Sequence, residues 1–174
     1  MRFTYCPDCG TKLIDKEIGD EGAIPYCETC QKPLFDMFST CVIVLVKNKE
    51  KVLLLSQSYI STQYRNLVSG YMKPGESAEE CAYREVEEEV GIKLDTLEII
   101  GTYWFKKKGL LMIAFMGETE QIELALSCEV DNAEWIDYDK AQALVHPKGG
   151  GSVSAILVEK NYERINGAKN TNEQ

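Results

Sequence analysis

No stretch of this chain of 174 residues approaches the roughly 20 consecutive apolar residues that a membrane-spanning helix requires. Its opening, MRFTYCPDCG, has no apolar signal core, which points to a cytoplasmic protein. Basic charge is scarce: 19 Lys and Arg stand against 28 Asp and Glu, a formal net charge of −9. That balance excludes a general basic field able to hold RNA or polyphosphate, so an anionic substrate has to be met by local cations or by bound metal. Internal repeats and low-complexity segments are absent. Histidine is nearly so: the one copy, His146, lies in a Pro/Gly-rich loop and is given no role. What remains is ordinary for a globular chain, 44% hydrophobic and 27% charged, with length for one domain or one domain plus a small module.

Residues 1–36 are polar and turn-rich, with too few apolar side chains to fold on burial alone. They carry Cys6, Cys9, Cys27 and Cys30 as two C-x2-C pairs separated by seventeen residues. Two such knuckles can surround one tetrahedral Zn²⁺, whose binding then supplies folding free energy. A redox C-x-x-C site is the alternative, disfavoured because no βαβ pattern surrounds the pairs. Cys41, Cys81 and Cys128 are scattered among apolar or helical residues and read as small buried side chains.

From Ser39 the composition changes. CVIVLV (Cys41 to Val46) reads as a strand buried on both faces and VLLL (Val52 to Leu55) as its neighbour across a charged hairpin. Further strands are expected at 66–69, 94–104, 110–117 and 134–137, and helices at 138–145 and 152–165. The tail 166–174 is polar and expected to fray.

The stretch GYMKPGESAEECAYREVEEEVGI (Gly70 to Ile92) carries the chemistry. Ser77 and Glu80 form a capping box, and Gly91 suits the helix end. Glu85, Glu88 and Glu89 then share one face, while Tyr83, Val86 and Val90 form a stripe that can pack on a sheet. An Arg84–Glu76 ion pair would tie the preceding turn to the helix. Carboxylates crowded in this way repel unless a cation compensates, and hard oxygen donors without His or Cys suit Mg²⁺ or Mn²⁺. The plain alternative is an exposed acidic helix held by i,i+4 pairs.

This stretch resembles the Nudix box, G-x5-E-x7-R-E-U-x-E-E-x-G-U with U apolar, at Gly70, Glu76, Arg84, Glu85, Val86, Glu88, Glu89, Gly91 and Ile92. The resemblance implies an α/β Nudix fold, an α/β/α sandwich with a mixed sheet, over residues 37–165, preceded by a zinc ribbon at 1–36. It implies hydrolysis of a nucleoside diphosphate linked to another group. The ribbon, the strand LMIAFMGE and Glu129 resemble the NADH pyrophosphatase branch. Glu85, Glu89 and Glu129 then stand as Mg²⁺ or Mn²⁺ ligands, with Glu88 as a further ligand or the base, and Arg84 and Glu76 completing the catalytic set. A homodimer is expected on the same grounds. Where that branch carries Ser-Gln-Pro-Trp, this chain has Thr102-Tyr103-Trp104-Phe105, and Lys73 stands where many members have glutamate.

Tyr71, Tyr103, Trp104 and Phe105 are the aromatic candidates for holding a base. Lys106–Lys108 could steer phosphate or simply form a hairpin tip, and the loop Pro147–Ser152 could meet an anion or simply cap a helix. The expected activity is cleavage of a pyrophosphate in an NADH-, NAD- or ADP-ribose-like dinucleotide. Alternatives are a nucleoside triphosphate or RNA-cap pyrophosphohydrolase, and a non-catalytic nucleotide sensor whose ribbon binds a partner. The net charge speaks against nucleic acid as that partner.

Overall fold

In a computed structural model the described residues are 2–148 and 152–171. The chain divides after Phe38 into two compact units. In the first, β1 (Ile14–Glu17), β2 (Ala23–Cys27) and β3 (Lys32–Pro33) form an antiparallel sheet in that order. The buried cluster is small: Cys6, Cys27 and Leu34, with Phe3, Leu13 and Cys30 against it. Gly10 and Gln31 each follow the second cysteine of a pair and adopt positive φ (72° and 52°), so both knuckles turn back in the same way. The four thiols of Cys6, Cys9, Cys27 and Cys30 lie within 4.8 Å of one another.

The second unit is a mixed sheet with helices on both faces. Its strands are β4 (Ser39–Asn48), β5 (Lys51–Gln57), β6 (Ser61–Asn66), β7 (Val68–Tyr71), β8 (Thr96–Phe105), β9 (Leu110–Glu118) and β10 (Asn132–Asp137). The order is β10-β5-β4-β9-β8, with β6 paired to β5 and β7 to β4. Among the described strands, β4 and β9 are the one pair that runs parallel, and they form the centre. Side-chain alternation along β4 feeds two cores. Val42, Val44 and Val46 pack under α1 (Ala78–Val90), while Ile43 and Leu45 pack under α2 (Tyr138–Leu144) and α3 (Val153–Thr171). Among the described residues no helix is long and apolar enough to cross a membrane.

Several elements differ from the sequence expectation. β6 has no apolar alternation to announce it; its residues STQYRN are polar and it exists because β5 offers an unpaired edge. α3 continues past Ile165 to Thr171, so residues 166–171 are helical. Tyr83 is exposed, whereas the buried side chains of α1 are Cys81, Ala82, Val86, Glu89 and Val90. At about 100° per residue, Tyr83 and Glu89 flank Val86 on opposite sides. The helix is seated with its glutamate side toward the sheet, which turns Tyr83 out.

α1 begins at the Ser77 capping box: Ser77 Oγ accepts from Glu80 N–H at 3.1 Å, and Glu80 accepts from Ser77 N–H at 2.7 Å. It ends at Gly91 in the left-handed conformation, φ 69°. A Cβ at Gly91 would stand 2.7 Å from Ala125 Cβ. Gly91→Ala is therefore expected to destabilise this unit by about 2 kcal/mol, read as a lower urea midpoint with unchanged slope.

Candidate active site

The site is built on the junction of β7 and α1. Gly70, on β7, pairs with Val42 of the central strand. A Cβ there would lie 1.9 Å from Glu85 Cδ, so the missing side chain is the space that Glu85's carboxylate occupies. Arg84 organises the rest. Its Nε and Nη2 grip both oxygens of Glu76 at 3.0 and 2.8 Å; Nη1 reaches Glu85 at 2.6 Å and Glu88 at 3.0 Å; Nη2 also donates to Tyr71 C=O at 3.2 Å. Glu76 further accepts from Lys73 N–H. Arg84's hydrogen bonds, then the backbone of Lys73, hold the Glu76 carboxyl down at about 2.

Glu89 is different. It is 4% exposed, and its Oε2 has no hydrogen-bond partner. Burial first, then the charge of Glu85, pushes its carboxyl up to about 8. A lone buried carboxylate oxygen facing like charge is a poor structural choice and a good cation ligand.

Glu85, Glu88, Glu89, Ser127, Cys128 and Glu129 line a cavity of about 140 Å³. The segment carrying Glu129 is bolted to the end of α1 by Ser127 N–H to Glu89 C=O (3.0 Å) and Ala125 N–H to Val90 C=O (2.9 Å). That volume suits ions and a phosphate group, so a nucleoside would have to extend outward from it. A larger groove of about 400 Å³ lies around Lys47–Lys49 and Glu118–Glu120. Its lining mixes both signs of charge and contains none of the candidate residues.

Both sets of candidate metal ligands fit their ions, in different states of readiness. The four ribbon thiols are already gathered, the chemistry of a tetrahedral zinc site with four thiolate ligands. The glutamates share a cavity, but among the described residues no acidic trio has its oxygens all within 4.8 Å. Arg84 holds Glu85 and Glu88 to itself. The unpartnered Glu89 oxygen and the all-oxygen donor set fit a hard divalent cation.

Of the aromatic candidates, Tyr103 packs into the core beneath α3, with Lys160 Nζ 5.9 Å from its ring centre. Alternation puts Phe105 on the same face, opposite α1. Both are therefore removed from the carboxylate side. Trp104 is 55% exposed and projects on α1's face. Sheet register places Thr102, Ile113, Val42 and Gly70 in one row, and Trp104, Leu111 and Thr40 in the next. Tyr71 is exposed at the end of β7.

Lys106–Lys108 form the exposed β8–β9 turn. Ser152 caps α3 through Ala155 N–H at 3.2 Å. Gly149–Gly151, the rest of the candidate anion loop, lie outside the described residues. His146 packs on Tyr64, ring centres 4.8 Å apart. Cys41 and Cys81 are buried as expected, but Cys128 is exposed because it sits in the cavity wall.

Two neighbours of the site escaped the sequence reading. Buried Gln57 donates through Nε2 to Glu89 Oε1 at 3.3 Å and to Tyr59 Oη at 3.2 Å. Burial, then the charges of Glu89, Glu129 and Glu85, raises the Tyr59 phenol. The available signal was a polar residue in register with inward-facing Leu53 and Leu55 on a strand otherwise buried.

A glutamate-bearing helix, docked by a Gly-cradled carboxylate on a mixed sheet between helices, defines a class. The chain belongs to the NUDIX domain family, whose model matches residues 37–155. It is similar in sequence to the NAD-capped RNA hydrolase NudC of Photobacterium profundum, 25% identical over 95% of this chain and 60% of that protein. The protein of that name from Pseudomonas aeruginosa is 30% identical, over 94% of this chain and 57% of that one. The chain thus spans little more than half the length of these curated relatives. In structure it is similar to a NUDIX hydrolase from Nitrosomonas europaea (TM-score 0.71, 19% identity, 95% and 94% of the two chains). It is also similar to the NUDIX domain of Shewanella oneidensis NrtR complexed with ADP ribose (TM-score 0.64, 15% identity, 80% and 94%). Likeness at these identities establishes the fold.

The state of Glu89 gives a signed prediction for the protein without divalent cation. Between its ordinary 4.5 and about 8, the folded chain keeps a proton that the unfolded chain has released. Stability should therefore fall as pH rises through that window, by up to a few kcal/mol. Glu76, held at about 2, loses its contribution only as pH falls below 4.5 and does not interfere. Both tryptophans, Trp104 and Trp135, belong to the second unit. Urea unfolding followed by their fluorescence is expected to show a higher midpoint near pH 5.5 than near pH 8, and a flattened dependence in Glu89→Gln.

Proposed function

We propose that the chain is a Mg²⁺- or Mn²⁺-dependent pyrophosphohydrolase that cleaves the diphosphate bridge of an NADH- or ADP-ribose-like dinucleotide. The observation that carries this is the cavity walled by Glu85, Glu88, Glu89 and Glu129, to which Glu89 brings a buried carboxyl with one oxygen, Oε2, that has no hydrogen-bond partner. The relatives' name, NAD-capped RNA hydrolase, and the ADP ribose in the NrtR complex support a dinucleotide as the substrate class.

Glu85, Glu89 and Glu129 would hold the divalent cations. The chemistry such ions supply when bound is neutralisation of the diphosphate charge and acidification of the attacking water. Glu88, exposed at the cavity mouth, is the carboxylate assigned to accept the water's proton. Arg84 keeps Glu76, Glu85 and Glu88 in place and is a positioning residue. Trp104, one row along the sheet face from Gly70 and Glu85, offers an aromatic surface for the base, whereas Tyr71, in the row of Cys41 and Tyr103, is turned to the opposite face. The four ribbon cysteines, Cys6, Cys9, Cys27 and Cys30, would hold a structural Zn²⁺. None of the seven cysteines forms a disulfide, which suits a reducing compartment such as the cytoplasm.

A second reading, removal of a dinucleotide cap from RNA, is favoured by the relatives' name. It cuts against the expectation, drawn from net charge, that nucleic acid is not a partner. The ribbon unit offers little to hold RNA, with four basic residues against seven acidic.

The test is a panel of NADH, NAD⁺, ADP-ribose and NAD-capped RNA with Mg²⁺ or Mn²⁺, scored by initial rate and product identity. The expected result is mononucleotide products from the dinucleotides and a loss of at least about a hundredfold in Glu85→Gln. Equal rates in the variant, or no turnover of any member, would contradict the reading.

A further inference from the structure

Positive charge that belongs to the protein strengthens a site's hold on a diphosphate beyond what bound ions supply, and Arg84 is not free to provide it. Its guanidinium has five N–H donors. The structure commits them to Glu76, Glu85, Glu88 and the Tyr71 carbonyl. The cavity lining contains no lysine or arginine. Among the described residues, one other cation pairs with a cavity glutamate: Lys73 Nζ, 3.6 Å from Glu88 Oε1.

Lys73 is held by its backbone and loose at its tip. Its N–H donates to Glu76, its C=O accepts from Glu76 N–H at 3.3 Å, and Met72 beside it donates to Thr40 C=O at 3.1 Å. Through Glu76 and Tyr71 the turn is locked to Arg84. The side chains of Lys73 and Glu88 are 61% and 54% exposed, and an exposed pair at this distance is weak and readily exchanged. The turn therefore fixes where the ammonium originates and leaves it able to change partner.

We propose that Lys73 is a substrate-binding residue: its ammonium leaves Glu88 and donates to a non-bridging oxygen of a nucleoside diphosphate entering the carboxylate cavity. This rests on the hydrolase reading above for what enters the cavity, but not on turnover. It makes the protein itself the source of one positive charge that meets the phosphate beside any bound ion.

The test is calorimetric binding of ADP to the full chain and to Lys73→Met, with Mg²⁺ and again in its absence, using adenosine as the phosphate-free control. The expected result is a loss of about tenfold in ADP affinity in Lys73→Met, larger without Mg²⁺, with adenosine unchanged and Lys73→Arg close to the parent. Equal ADP affinity in parent and Lys73→Met would overturn the inference, and so would an equal loss for adenosine, which marks a damaged site. Lys73-dependent ADP binding in a chain that turns over no pyrophosphate would sustain this inference and remove the hydrolase reading, so the two fail separately.

Discussion

Arg84 is the charge that makes this site compatible with a folded chain. Three glutamates crowd one face of α1, and Glu76 sits at its head. One guanidinium meets Glu76, Glu85 and Glu88 within 3.0 Å and fastens the β7–α1 turn through Tyr71 C=O. Glu89 is left without it, buried beside Gln57. Burying a carboxylate costs several kcal/mol. Val86, Val90 and Ile92 around it are fully buried, and each contributes about 1.5–3 kcal/mol. The apolar anchoring of α1 thus outweighs the strain of presenting an acid to the cavity, a stability cost located where the chemistry would use it.

The sheet explains why these residues meet. The parallel β4–β9 pair is buried on both faces, so one face must receive α1 and the other α2 and α3. β7 brings Gly70 against the central strand, and Gly70 admits the Glu85 carboxylate. The segment after β9 returns across the end of α1, and its two backbone hydrogen bonds deliver Glu129 to the same cavity. The ribbon stands apart in this logic, with a core too small to hold it and four thiols gathered to complete it.

Local chemistry was legible in the sequence. The capping box, the left-handed Gly91, the strand runs and the Arg84–Glu76 pair each follow from a few neighbouring residues. What could not be read depends on long-range placement. β6 is strand only because an edge of β5 awaits it. Tyr83 turns outward because α1 docks on its glutamate side. Tyr103 and Trp104 are adjacent in sequence, yet the pleat sends them to opposite faces, and the bulge between Ile99 and Gly101 obscures which is which. Gln57 and Cys128 join the site through folding alone; neither belongs to a motif.

The proposed chemistry depends on the cavity glutamates acting as ligands for divalent cations. The most direct measurement is a crystal of the full chain soaked in Mn²⁺, read by anomalous scattering at the manganese edge. Manganese is expected to be coordinated by Glu89 and Glu85, with Glu129 completing the set and Arg84 still bound to Glu76. Manganese absent from that cavity, with Glu85 still paired to Arg84 and Glu89 Oε2 still without a partner, would contradict it.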